Sequence, residues 1–119
     1  MKDQRLYLGH VLESGRRIRE YLAPGREFYL SDPKTQDAVL RNLQILAEST
    51  QRLSPELKAR RPDIPWRAIA GLRNLLVHDY LGVDPVRVWE ICLRDLPSLE
   101  AAIRDLLAHL EAEQPLPGG

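Results

Sequence analysis

The sequence predicts an all-α protein, an up-and-down bundle of four to five helices, and three observations carry that expectation. Apolar residues recur at helical spacing in nearly every segment, and no segment alternates apolar and polar residues as a half-buried strand does. Asp-Pro or Ser-Pro pairs stand before three of the periodic runs, where an N-cap followed by proline at the first helical turn starts a helix. The breaks between runs are short, which favours antiparallel neighbours. At 119 residues, 44% hydrophobic and 29% charged, the chain has the size and composition of one domain with one core.

Leu6, Leu8, Val11, Leu12, Ile18, Tyr21 and Leu22 define a first amphipathic helix over about residues 3–22, closed by Ala23-Pro24-Gly25. Asp32-Pro33 starts a second, which runs on Ala38, Val39, Leu43, Ile45, Leu46 and Ala47 to about residue 52. Ser54-Pro55 starts a short helical turn. Arg61-Pro62-Asp63-Ile64-Pro65 reads as a linker, because each proline disfavours helix in the residue before it. Pro65 opens a third helix on Trp66, Ile69, Leu72, Leu75 and Leu76, with its end expected near Leu81-Gly82. Asp84-Pro85 starts a fourth on Val86, Val88, Trp89, Ile91, Cys92 and Leu93. Pro97 marks a kink or break, after which Leu99, Ile103, Leu106, Leu107 and Leu110 carry a last helix to about residue 111. Residues 1–111 are thus expected as the folded domain and residues 112–119, ending in Pro-Leu-Pro-Gly-Gly, as a flexible tail.

No apolar run approaches the roughly 18–20 residues of a membrane span. The first seventeen residues scatter charges and contain no apolar stretch of signal-peptide type, so a cytoplasmic location is the simplest expectation. One cysteine, Cys92, excludes an internal disulfide framework and a cysteine metal cluster, and no cofactor or metal is expected. The formal net charge is zero but unevenly placed. Residues 52–78 carry six Lys/Arg against two Asp/Glu, whereas residues 79–119 carry three against eight. The basic stretch is either a solvated helix surface or a patch that attracts a polyanion.

That basic stretch runs into residues 73–80, RNLLVHDY. If residues 66–80 form one α-helix, Arg73 and Tyr80 lie within about 20° of each other, and Asn74 and His78 are neighbours one turn apart. Arg73 and His78 then diverge by about 140°, so they converge on one target only if the helix loosens near its end or two copies of the motif meet in a dimer. The residue types suit phosphate chemistry. Arginine offers a permanently charged planar fork. Histidine, with a reference pKa of about 6.5, exchanges a proton near neutrality. Such a pair is sufficient to cleave RNA without a metal, histidine moving the proton of the 2′-hydroxyl or leaving oxygen while arginine stabilises the phosphate. The spacing by itself is equally that of a surface arginine and a histidine at a helix C-terminus.

The segment IPWRAIAGLRNLLVHDYLGVDPVRVWEI (residues 64–91) resembles the HEPN superfamily, in particular its HepT-like toxin branch, whose members carry R-x-x-x-x-H-x-Y after I-P-W-R. Gln36–Ser54 and Asp95–Ile103 resemble the family's second and C-terminal helices, so the likeness covers nearly the whole chain. The resemblance implies a HEPN-type helical bundle, a homodimer with the motif at its cleft, and a metal-independent endoribonuclease that harms its own cell. It also implies a small MntA-type nucleotidyltransferase antitoxin as partner, which transfers AMP to the motif tyrosine. Carried over by position, Arg73 and His78 are the catalytic pair, Asn74 orients His78 or contacts RNA, and Tyr80 is the modified residue. The RNA substrate would be tRNA or mRNA. The alternative is a non-catalytic helical subunit that docks a nucleotidyltransferase.

The remaining candidates are ordinary. His10 and His109 are expected on the surface, Trp66 and Trp89 in the core, and Cys92 as a buried, inert thiol. Asp79 points about 100° from His78 and is expected in solvent. Leu75, Leu76 and Val77 are expected to pack the helix. Gly71 suits close approach of a second helix. Arg60, Arg61 and Arg67 either extend an RNA track or are surface charge.

Overall fold

The computed structural model describes residues 3–113, and among these every regular element is helical. Five longer helices and two short ones follow in order: α1 (Gln4–Leu22), α2 (Arg26–Ser31), α3 (Pro33–Gln51), α4 (Pro55–Ala59), α5 (Trp66–His78), α6 (Pro85–Arg94) and α7 (Leu96–Glu113). The all-α bundle is as expected. The short α2 was not legible as a helix. It starts at Gly25, whose φ of 109° is open to glycine at no steric cost. Pro97 does not kink a helix: the break falls at Asp95, and Pro97 sits in the first turn of α7, where no intrahelical N–H is needed. Helix α7 continues to Glu113, two residues beyond the expected end, and the rest of the expected tail, residues 114–119, lies outside the described residues.

Side chains supply the helix starts. Asp3 accepts from the Arg5 N–H at 2.9 Å, Ser54 from the Leu57 N–H at 3.2 Å, and Asp84 from the Val86 N–H at 3.0 Å. Asp32 stands at the N-cap of α3 without such a bond, its carboxylate accepting instead from the Thr35 hydroxyl.

Long-range contacts show the up-and-down arrangement. Gln4, at the start of α1, accepts from the Ser54 N–H at 2.6 Å beyond the end of α3, so these helices run antiparallel. Arg19, near the end of α1, meets Glu100 near the start of α7 at 2.9 Å. Leu8, Val11 and Ile18 of α1, Val39, Leu43 and Leu46 of α3, and Leu99, Ala102, Ile103 and Leu106 of α7 form the buried core. Tyr29 on α2 is also buried; its hydroxyl donates to the Pro85 carbonyl at 2.9 Å and its ring lies 5.5 Å from Trp89. The Trp66 indole donates to the Lys58 and Arg61 carbonyls, which pins the proline linker to the start of α5.

Helix α5 is the exception. It packs against α3, and of its thirteen residues only Leu76 is fully buried. Leu75 and Val77 remain 44% and 40% exposed, so the expectation that all three pack the helix holds for Leu76 alone. Gly71 has open space where a Cβ would stand, so among the described residues no second helix approaches it closely.

Candidate functional site

The motif falls across the end of α5 and the turn that follows. The helix is regular through His78, and the Asp79 N–H closes it on the Leu75 carbonyl at 2.8 Å. Asp79 then leaves helical geometry, with φ −142° and ψ 50°, and Tyr80–Gly82 form a single 3-10 turn. Glycine lets the Asp79 side chain fold back over that turn: a Cβ on Gly82 would stand 2.5 Å from the Asp79 carboxylate oxygens and push them away.

Ending the helix at His78 changes the site's geometry. Arg73 and Tyr80 do not share a helix face, because no helix joins them. Tyr80 instead turns onto the start of α3. Its hydroxyl reaches the Asp37 carboxylate at 3.4 Å and the Asp37 carbonyl at 3.5 Å. Partial burial first, and the Asp37 charge second, push the phenol above its ordinary pKa. Tyr80, Asp37, Gln36, Leu40 and Val83 line a cleft of about 230 Å³ between α3 and the turn.

Arg73 meets α3 further along. Its Nε lies 4.0 Å from Glu48 Oε1, too far for a hydrogen bond, and its Nη1 donates to Asn74 Oδ1 at 3.3 Å. That Nε is buried and has no hydrogen-bond partner among the described residues. Asp37 and Glu48 are eleven residues apart on α3, so the Tyr80 and Arg73 contacts fall about three turns apart along that helix.

His78 is exposed at the C-terminal end of α5, one turn beyond Asn74. Since α5 does not loosen before His78, Arg73 and His78 of one chain diverge around the helix. Around them the surface is apolar and uncovered, with Leu75, Val77 and the 97% exposed Leu81.

The outlying arginines separate into two kinds. Arg60 pairs with Glu113 at 2.9 Å, and Arg61 with Asp63 at 2.8 Å and Asp105 at 3.3 Å, so their charge is locally offset. Arg67 is exposed, with no ion pair among the described residues. His10 and His109 are on the surface, His109 against its own helix through the Asp105 carbonyl. Cys92 is buried, and desolvation pushes its thiol up to about 12. Among the described residues no three His, Cys, Asp or Glu side chains are grouped to hold a metal ion, and no helix is long and apolar enough to cross a membrane.

Asp37, which meets Tyr80, and Glu48, which faces Arg73, were not identified from the sequence. Their eleven-residue spacing puts them on one face of α3, but nothing in the sequence says that α5 covers that face.

A helical bundle with an arginine, an asparagine and a histidine at an uncovered helix end is the setting in which the comparisons with known proteins fall. The family model for ribonuclease HepT-like proteins matches residues 11–106, and the chain belongs to that family. It is 37% identical over 101 residues to "Probable ribonuclease HepT" of Thermococcus cleftensis, covering 84% of this chain and 92% of that one. It is 33% identical over 108 residues to a protein of Caldanaerobacter subterraneus named "Putative RNase", covering 90% and 96%. A Methanocaldococcus jannaschii protein named "Gamma-glutamylcyclotransferase and putative RNase" is 34% identical over 111 residues; the match takes 92% of this chain but spans half of that longer protein. No solved structure matches the chain significantly.

Proposed function

We propose that this chain is a metal-independent endoribonuclease toxin of a type VII toxin–antitoxin pair, acting in the cytoplasm on tRNA or mRNA. Arg73 and His78 are its catalytic residues and Asn74 supports them. The observation that carries this reading is the end of α5. It presents an arginine whose guanidinium is not fully satisfied and an exposed histidine, beside apolar side chains left exposed among the described residues.

Because the two side chains diverge on a regular helix, the reading requires a symmetric homodimer, in which Arg73 of one copy faces His78 of the other. Leu75, Val77, Leu81 and the open flank of Gly71 supply the apolar surface for that meeting. Histidine then moves the proton of the attacking 2′-hydroxyl or the leaving oxygen, and arginine holds the phosphate as its charge develops. Arg67 extends the RNA track. Arg60 and Arg61 contribute less, since both are already paired. An MntA-type nucleotidyltransferase silences the enzyme by transferring AMP to Tyr80.

The deciding experiment is cleavage of total RNA by the purified chain with and without EDTA, beside His78→Ala. Cleavage that persists in chelator and disappears in the variant supports the reading. Cleavage lost to EDTA removes the metal-free mechanism. A chain that never cleaves, yet still binds a nucleotidyltransferase, is a docking subunit.

A further inference from the structure

The groove between α3 and α5 holds an exposed cation outside the motif. Arg41 follows Asp37 by four residues and precedes Glu48 by seven. On a regular helix it lies within about 40° of the first and about 20° of the second. Asp37 touches Tyr80 and Glu48 faces Arg73, so Arg41 stands between the two ends of the motif, about 6 Å along α3 from the Tyr80 anchor. It has no ion pair among the described residues, unlike Arg60, Arg61 and Arg94. Of the cations on α3, Arg41 is the one whose charge acts on Tyr80, opposing the effect of Asp37.

We propose that Arg41 binds a phosphodiester anion with two alternative sources: the RNA backbone in the active chain, and the phosphate that joins AMP to Tyr80 in the silenced one. The inference rests on the ribonuclease and AMP-transfer reading above.

Modification makes the need for a cation explicit. The Tyr80 oxygen bonds to the α-phosphorus of a nucleoside triphosphate, pyrophosphate leaves with the electrons of the broken P–O bond, and the phenolic proton passes to Asp37 or water. The product carries a negative charge where the hydroxyl now sits 3.4 Å from a carboxylate. Arg73, beside Glu48 eleven residues along α3 from Asp37, is less well placed than Arg41 to offset that repulsion within the chain. Arg41, one turn along, offsets it through a charge-assisted contact. The same cation then becomes unavailable to RNA entering between Tyr80 and Arg73, so AMP competes for charge as well as for space.

The test uses the full chain in two arms. In the first, a His78→Ala background binds a fluorescent single-stranded RNA without cutting it. Adding Arg41→Ala is expected to weaken Kd about fivefold to tenfold, and to lower the slope of log affinity against log salt by about 0.7. Arg41→Lys should retain most of both. In the second, chain carrying AMP on Tyr80, made by co-expression with the nucleotidyltransferase, is compared with its Arg41→Ala form by phosphorus NMR. A displaced resonance is expected. Unchanged Kd and salt slope overturn the RNA role, and an unchanged resonance overturns the AMP role. If the parent chain neither binds RNA nor accepts AMP before Arg41 is touched, the underlying reading fails and takes this inference with it.

Discussion

Two arginine–glutamate pairs in this molecule have the same chemistry and opposite consequences. Arg19 and Glu100 join α1 to α7 at 2.9 Å, with Glu100 only 1% exposed. Arg73 and Glu48 join α5 to α3 at 4.0 Å, with both side chains partly exposed. In the first pair a buried carboxylate needs its cation, because an unpaired charge in a core is strongly unfavourable. In the second pair neither group depends on the other. The difference separates charges that hold helices together from charges that a ligand could use. The α1–α7 side uses its charges to hold helices together, and the α3–α5 side leaves its charges available.

The comparison breaks most sharply at Arg73. Arg73→Ala should reduce RNA cleavage by about 10²–10³-fold, the cost of removing one transition-state donor, while its melting temperature stays close to that of the parent. A large fall in melting temperature would make Arg73 a structural residue like Arg19, and the distinction would collapse.

Alkali should act on the core side. Cys92 and Tyr29 are both pushed up to about 12, chiefly by burial. A group whose pKa is raised on folding stabilises the fold fully below its unfolded value and loses that contribution as pH rises through the folded value. Stability should therefore decline from about pH 9 and continue falling towards 12. Cys92 should carry the larger part, since its thiol is the more deeply buried and moves further from its ordinary value. Urea titrations across that range measure it, and Cys92→Ala should flatten the slope. An unchanged slope would mean that Cys92 is not desolvated.

Smaller effects follow at the core pair. Gly15→Ala places a Cβ 2.8 Å from Glu100 Oε2. It should destabilise by about 1–3 kcal/mol, the usual cost of overpacking. Arg19→Ala should cost a similar amount, about 1–3 kcal/mol, since water reaches the exposed arginine side and softens the loss. Thermal or urea unfolding checks both, and a neutral Gly15→Ala would show that Glu100 has room to move.

The smallest change is expected at Glu48→Gln. Stability should move by less than about 0.5 kcal/mol, as for exposed ion pairs, while RNA affinity rises modestly because a negative charge leaves the groove. Weaker RNA binding in that variant would show that Glu48 positions Arg73, and the groove pair would then resemble the core pair after all.

The helices and most of their starts were legible from apolar spacing and proline placement, since both signals are local. Leu8, Val11, Ile103 and Leu106 are buried as their period requires. The motif was legible as residue types in order. Its geometry was not: a continuous helix through Tyr80 placed that tyrosine over Arg73, whereas the chain leaves the helix at Asp79 and Tyr80 turns onto Asp37. Glycine at position 82 was the available hint, because a residue without a Cβ leaves room for the Asp79 carboxylate to fold back over the turn.

The sequence by itself determined that this is a helical bundle, where most of its helices begin, and which residue types stand in the motif, because helical period, capping and side-chain type are properties of short stretches. Tertiary structure decided which of those residues meet. Glu100 reaches Arg19 across 81 positions of chain, Tyr80 reaches Asp37 across 43, and Leu75 and Val77 stay exposed because none of the described helices packs over them. Those are relations between distant segments, set by how whole helices dock, and no local pattern contains them.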